Sequence, residues 1–190
     1  MSNKAGFSNK AEASVIRSKA PAASLGLKGS YEVECYGVDG EFKWREEGRN
    51  VISFEGMIHL LEVGFDSTTS KTNNWYGGLI NGTSVTSVEA DTMASHAGWT
   101  EDQTYSEATR EEWLDDAAAS GAGVVTMANS TVMEFNMNGT TNIAGIFISS
   151  VSTKGSGTGV LWAAAAFSGY QAVNTGDVLR VTYTITSDNA

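Results

Sequence analysis

The sequence predicts a mainly β protein: an antiparallel β-sandwich of jelly-roll type, with one short packed helix and an extended N-terminal arm. Three observations carry this. Five apolar-rich segments in the C-terminal half are spaced by turn-forming groups (Asn129-Ser130, Asn138-Gly139, Gly155-Ser156-Gly157 and Asn174-Thr175-Gly176), as in sandwiches and barrels. Residues near both ends of the body alternate apolar and polar with the period of a strand. Only one segment repeats clearly at the period of a helix, and with 21 Gly and one Pro the composition suits short strands joined by glycine turns better than a bundle.

Residues 1–29 are rich in Ala, Ser, Lys and Gly, and their apolar residues are too sparse to build a core, so they are assigned to an extended arm and residues 30–190 to the sandwich domain. Alternation begins at Tyr31, with Tyr31, Val33 and Cys35 on one face; Asp39-Gly40 then turns the chain into Phe42 and Trp44, giving strands over about 30–38 and 41–46. Ser53 caps a helix in which Phe54, Met57, Ile58 and Leu61 fall at i, i+3, i+4 and i+7, with Gly64 as its stop. That stripe is expected to face the core.

A polar loop over 66–74 leads to a strand at 75–80, whose adjoining glycines allow close backbone approach. Residues 87–113 alternate poorly and are expected to form a long loop. Strands follow at 124–127, 132–137, 143–149, 159–167 and 177–185, and the last has Leu179, Val181, Tyr183 and Ile185 on its dry face.

Charge and cysteine content exclude several classes. Twelve Lys and Arg against 22 Asp and Glu leave a net charge of −10, which disfavours generic binding to nucleic acid or to an anionic membrane. The charge is unevenly spread. Residues 1–30 hold five cations (Lys4, Lys10, Arg17, Lys19, Lys28) and the single anion Glu12, so a basic arm sits on an acidic body. One cysteine, Cys35, rules out an internal disulfide framework and a Cys-based zinc cluster. No apolar run is long enough for a membrane span, and the N-terminus lacks the apolar core of a secretory signal, so synthesis in a cytoplasm is expected.

The chain carries no GxSxG, HExxH, GxxxxGK[ST] or strand-borne GxGxxG. The best candidate for chemistry is 91–101, where His96 as a general base would need Asp91 or Glu101 to orient it. The alternative has the loop pinned by its own hydrogen bonds, with Asp91 taking backbone N–H groups and Trp99 plugged into the core; it is preferred, because a loop without ladders must still satisfy its backbone. His59 has no second ligand at metal spacing in its helix and is expected to be structural. The acidic pairs Glu111-Glu112 and Asp115-Asp116 lack the calcium-loop spacing and are assigned to a solvated face near a short helix. Three Asn-x-Ser/Thr triplets, at Asn81, Asn129 and Asn138, are assigned to turns. No cofactor or metal is expected.

WYGGLI at 75–80, DTMASHAGWTEDQTYSEATREEW at 91–113 and the stretch from Asn142 to Thr186, together with NVISFEGMIHLLEVGF at 50–65, resemble a family of small tailed-bacteriophage virion proteins described as structural, head-decoration or tail-fibre-like. The resemblance covers about 50–186. Asp91, His96, Trp99, Tyr105, Arg110 and Trp113 occupy its motif positions and bring no catalytic role, so they are expected to brace the loop. The resemblance implies a non-enzymatic capsid decoration or cement protein on the outer shell, partnered by the major capsid protein and self-associating as a homotrimer. Lys4, Phe7, Lys10, Ile16, Arg17, Lys19 and Lys28 of the arm would then contact the shell. A tail, neck or fibre component is the alternative, and a glycan-processing hydrolase a remote one.

Overall fold

The computed structural model describes residues 25–189. The chain runs β1 (Leu25–Tyr36), β2 (Phe42–Arg49), β3 (Val51–Ile52), α1 (Phe54–Phe65), β4 (Trp75–Asn81), β5 (Thr100–Asp102), β6 (Glu111–Trp113), β7 (Ala119–Gly121), β8 (Val124–Ala128), β9 (Met133–Asn136), β10 (Thr141–Ser149), β11 (Leu161–Val173) and β12 (Val178–Asn189). The fold is mainly β, with two antiparallel six-stranded sheets. One has the order β2-β1-β12-β8-β7, with β9 also on β12; the other has β3-β11-β10-β4-β5, with β6 also on β4.

The alternation in the first strand is realised as expected. Tyr31, Val33 and Cys35 are buried and lie opposite Tyr183, Val181 and Leu179 of β12. They share one core with Leu79, Ile146, Ile148, Ala163, Ala165 and Phe167 of the other sheet, so the inner faces of the two sheets pack together. Burial pushes the Cys35 thiol up to about 12, in keeping with an inert core position. The β1–β2 turn places Gly40 at φ 80°, a conformation that favours glycine, where Asp-Gly predicted a hairpin.

The start of β1 differs from the expectation. Pairing with β12 continues back to Leu25 against Asn189, so residues 25–29 belong to the sheet rather than to the arm. Lys28, assigned to the arm, stands in β1 opposite Thr186 and forms an ion pair with Asp188. Lys4, Phe7, Lys10, Ile16, Arg17 and Lys19 lie outside the described residues.

The helix begins as predicted, with the Ser53 hydroxyl accepting from the Gly56 N–H at 3.0 Å. It runs past Gly64 and ends at Asp66, whose own N–H bonds back to the Glu62 carbonyl. The expected buried stripe is a correction. Phe54, Ile58 and Leu61 are 54, 56 and 57% exposed, and Phe65 is 89% exposed. The reason lies in what docks the helix. A Cβ at Gly56 would stand 2.8 Å from the Trp162 carbonyl oxygen and 2.9 Å from its Cα, so only the glycine face can approach β11 this closely. Ser53 donates to the Leu161 carbonyl, and the Glu55 carboxylate accepts from the N–H groups of Leu161 (2.7 Å) and Met93 (3.2 Å). These polar anchors set the rotation of the helix and turn its apolar stripe outward. His59, Leu60 and Val63 on the inner side look onto a half-open cavity of about 270 Å³, which is also lined by Trp75, Trp113 and Trp162.

The acidic stretch follows the expectation in part. Asp115 and Asp116 are exposed, and Asp115 lines the same cavity as His59, Leu60 and Val63 of α1, whereas Glu111 and Glu112 belong to β6 and Asp115 bridges to Asn129.

Candidate functional site

The segment 87–113 departs from a plain loop, because β5 and β6 within it pair with successive parts of β4. Between Asn81 and β5 the chain folds over the outer face of its sheet and builds a second core there. Met93 and Trp99 pack on Ile80, Phe147, Leu161 and Ala164. Strand β10 is consequently buried on both faces, with Ile146 and Ile148 toward the inner core and Phe147 toward this outer one. Gly78 makes the outer packing possible, since a Cβ there would lie 2.3 Å from the Phe147 ring.

The six residues of the sequence-derived constellation divide between the two cores. In the outer layer the Trp99 indole N–H donates to the Asp91 carboxylate at 3.0 Å, and the Val88 N–H donates to the same oxygen at 3.1 Å. His96 stacks on Trp99 with ring centroids 3.8 Å apart, and its Nδ1 lies 3.0 Å from the Trp99 carbonyl oxygen. Trp99 in turn lies against Phe147. Neither Asp91 nor Glu101 bonds to His96, so the orienting carboxylate that a general base would need is occupied elsewhere.

Arg110 is the centre of the arrangement. Its side chain is fully buried, and all five N–H donors are used: Nε and Nη2 on the two oxygens of Glu101 (2.9 and 2.8 Å), Nη1 on the Ser149 hydroxyl (3.0 Å) and the Val151 carbonyl (2.8 Å), and Nη2 again on the Ser156 carbonyl (3.0 Å). The guanidinium lies 5.0 Å from the Phe147 ring centroid. Glu101 also accepts from the Gly155 N–H at 2.7 Å. This one pair therefore ties β5, the segment before β6, the end of β10 and the 150–156 turn together.

Tyr105 and Trp113 belong to the inner core. Tyr105 packs edge-on against Phe135 and carries the Lys154 ammonium 3.8 Å above its ring; burial raises its hydroxyl pKa, and that oxygen has no hydrogen-bond partner among the described residues. Trp113 donates its indole N–H to the Tyr183 carbonyl at 3.1 Å. Tyr183 closes a further chain, in which its hydroxyl accepts from Trp162 (2.9 Å) and from Asn50 (2.7 Å).

Several partners left no signal in the sequence. Glu101 reads as a candidate orienter of His96, yet its partner is Arg110. Ser149 and the carbonyls of Val151 and Ser156 meet Arg110 from 39 to 46 positions away. Asp102, fully buried, accepts from Asn81, Thr104 and Thr141. His59 has its Nε2 2.8 Å from the Thr72 hydroxyl and stands edge-on to Trp75.

Among the described residues no group of three or more His, Cys, Asp or Glu is placed to hold a metal ion, and no helix is long and apolar enough to cross a membrane. No protein-family model matches the chain, and none of the curated proteins does. The geometry alone therefore carries the functional reading. The chemistry of 91–113 is that of a clamp, in which charged and aromatic groups are bonded to the protein itself.

Proposed function

We propose that this chain is a non-enzymatic structural protein of a bacteriophage particle, and specifically a decoration or cement protein with a jelly-roll-like β-fold, seated on the outer shell against the major capsid protein and self-associating as a homotrimer. The observation that carries this reading is the use to which the 91–113 constellation is put. Asp91, Trp99 and Arg110 are buried and, together with the half-buried His96, are committed to internal hydrogen bonds and stacking, which hardens a surface loop. A rigid surface suits a component that must keep its shape while bonded to neighbours. Charge adds support. Residues 25–190 hold eight cations against 21 anions, a net of −13, while residues 1–24 hold four cations against one anion, so the basic N-terminal segment can serve an acidic neighbouring surface.

The test is stoichiometry in purified particles by quantitative mass spectrometry with labelled reference peptides. Decoration requires copies on the order of the capsomer number. A few copies per particle would move the protein to the tail, neck or a fibre, and absence from particles would sink the virion reading altogether.

A further inference from the structure

We infer that the cavity roofed by α1 is a binding site for a small bicyclic aromatic compound carrying one polar substituent. The cavity follows from the way the helix is held. Its anchors to β11 lie at its start, where Ser53 and Glu55 bond to Leu161 and Gly56 meets the Trp162 backbone. Beyond that turn His59, Leu60 and Val63 stand over the core without closing on it, and a half-open space of about 270 Å³ remains. His59 fixes this roof, with its Nε2 2.8 Å from the Thr72 hydroxyl and its ring edge-on to Trp75.

The walls select an apolar body. Trp113, Ile148, Trp162 and Tyr183 are buried, and Met127 and Ile185 are half-buried beside them. The indole N–H groups of Trp113 and Trp162 are already spent on Tyr183, so the floor offers carbon surface and ring edges in place of hydrogen bonds. A ligand hydroxyl buried there would lose its water without replacement. The aromatic walls are also set in advance. Trp75 meets Trp162, and Trp113 meets Tyr183, edge to face with ring centroids 6.0 and 5.9 Å apart, an arrangement that a further flat ring extends. Polar groups gather at the mouth, where Lys71, Asn73 and Asp115 line the cavity from exposed positions. A ligand therefore buries its rings and leaves its polar substituent at the rim. Volume sets the number of rings. A dry apolar cavity of about 150 Å³ accommodates benzene, so one of about 270 Å³ has room for two fused rings. This inference is independent of the virion role, because it concerns the isolated protein.

The experiment titrates indole into the full chain labelled with ¹³C at the methyl groups of Ile, Val and Met. The expected result is saturable ring-current shifts at Val63, Met127, Ile148 and Ile185, with none at Val38 in the β1–β2 turn. Val63→Trp fills the cavity from its roof and should abolish the indole-dependent shifts, whereas Leu61→Trp, at an exposed position of the same helix, should leave them unchanged. Two further probes need no variant. Against the unaltered protein, 1-octanol should bind more weakly than indole, and methyl β-glucoside should give no saturable shift. Tighter binding of octanol would overturn the aromatic class, and saturation by the glucoside would overturn the apolar body. Absence of saturable shifts with indole up to its solubility, or their survival in Val63→Trp, would overturn the site itself.

Discussion

Replacing Arg110 with Met tests whether the 91–113 clamp is a main support of the fold. The substitution keeps much of the apolar stem and removes five hydrogen bonds at once, two of them from a carboxylate whose side chain is only 7% exposed. Glu101 would keep the Gly155 N–H as a donor but lose its counter-charge. Breaking a buried pair from one side costs about 3–5 kcal/mol, because the remaining charge stays desolvated. At about 1.4 kcal/mol per factor of ten, the folding equilibrium should fall by roughly two to nearly four orders of magnitude. Solvent screening does not reduce this figure, since the guanidinium is fully buried. Urea unfolding followed by tryptophan fluorescence measures it as a lower midpoint at an unchanged slope. Adding Glu101→Leu to Arg110→Met should recover part of the loss. Full recovery is not expected, because the Ser149 hydroxyl and the Val151 and Ser156 carbonyls would remain without their donor. A loss below about 1 kcal/mol for Arg110→Met, the size found for exposed pairs, would refute the reasoning.

Three further outcomes are expected. Gly78→Ala forces a methyl against the Phe147 ring and should cost about 1–3 kcal/mol in a thermal or denaturant melt; a neutral result would mean the outer core is loosely packed. Asp91→Ala leaves the buried Trp99 indole N–H without an acceptor and should cost about 1–3 kcal/mol, while His96→Ala, which removes a stacked ring and one hydrogen bond, should cost about 1 kcal/mol; a hydrolytic activity lost in His96→Ala with the fold intact would contradict the bracing role. Glu111 has its carboxyl held above the ordinary range by burial, with the charges of Glu107 and Glu134 adding to it. Its contribution to stability is therefore full below the unfolded pKa and is lost as pH rises through the folded value, so Glu111→Gln should raise the melting temperature at neutral pH and have no effect below the ordinary glutamate range.

Much of the β architecture was legible in the sequence because strand alternation is local. Tyr31, Val33 and Cys35, and Leu179, Val181 and Tyr183, announce a buried face through neighbours two positions apart, and the structure pairs those same faces. Asp39-Gly40 and the Ser53 cap were equally readable, since each acts on residues within one turn. Which side of α1 would be buried was not readable. Periodicity reports that an apolar stripe exists, but the rotation of the helix was decided by the close approach of Gly56 to Trp162 and by the bonds of Ser53 and Glu55 to Leu161, more than a hundred residues away. The same holds for the clamp. The sequence marked Asp91, His96, Trp99 and Arg110 as a group, but not the pairing of Glu101 with Arg110 in place of His96, nor the second core over β10. Those depended on the sheet bringing β4, β10 and β11 side by side, and on the free energy of burying Phe147 and Trp99 together, neither of which leaves a trace within any short window of residues.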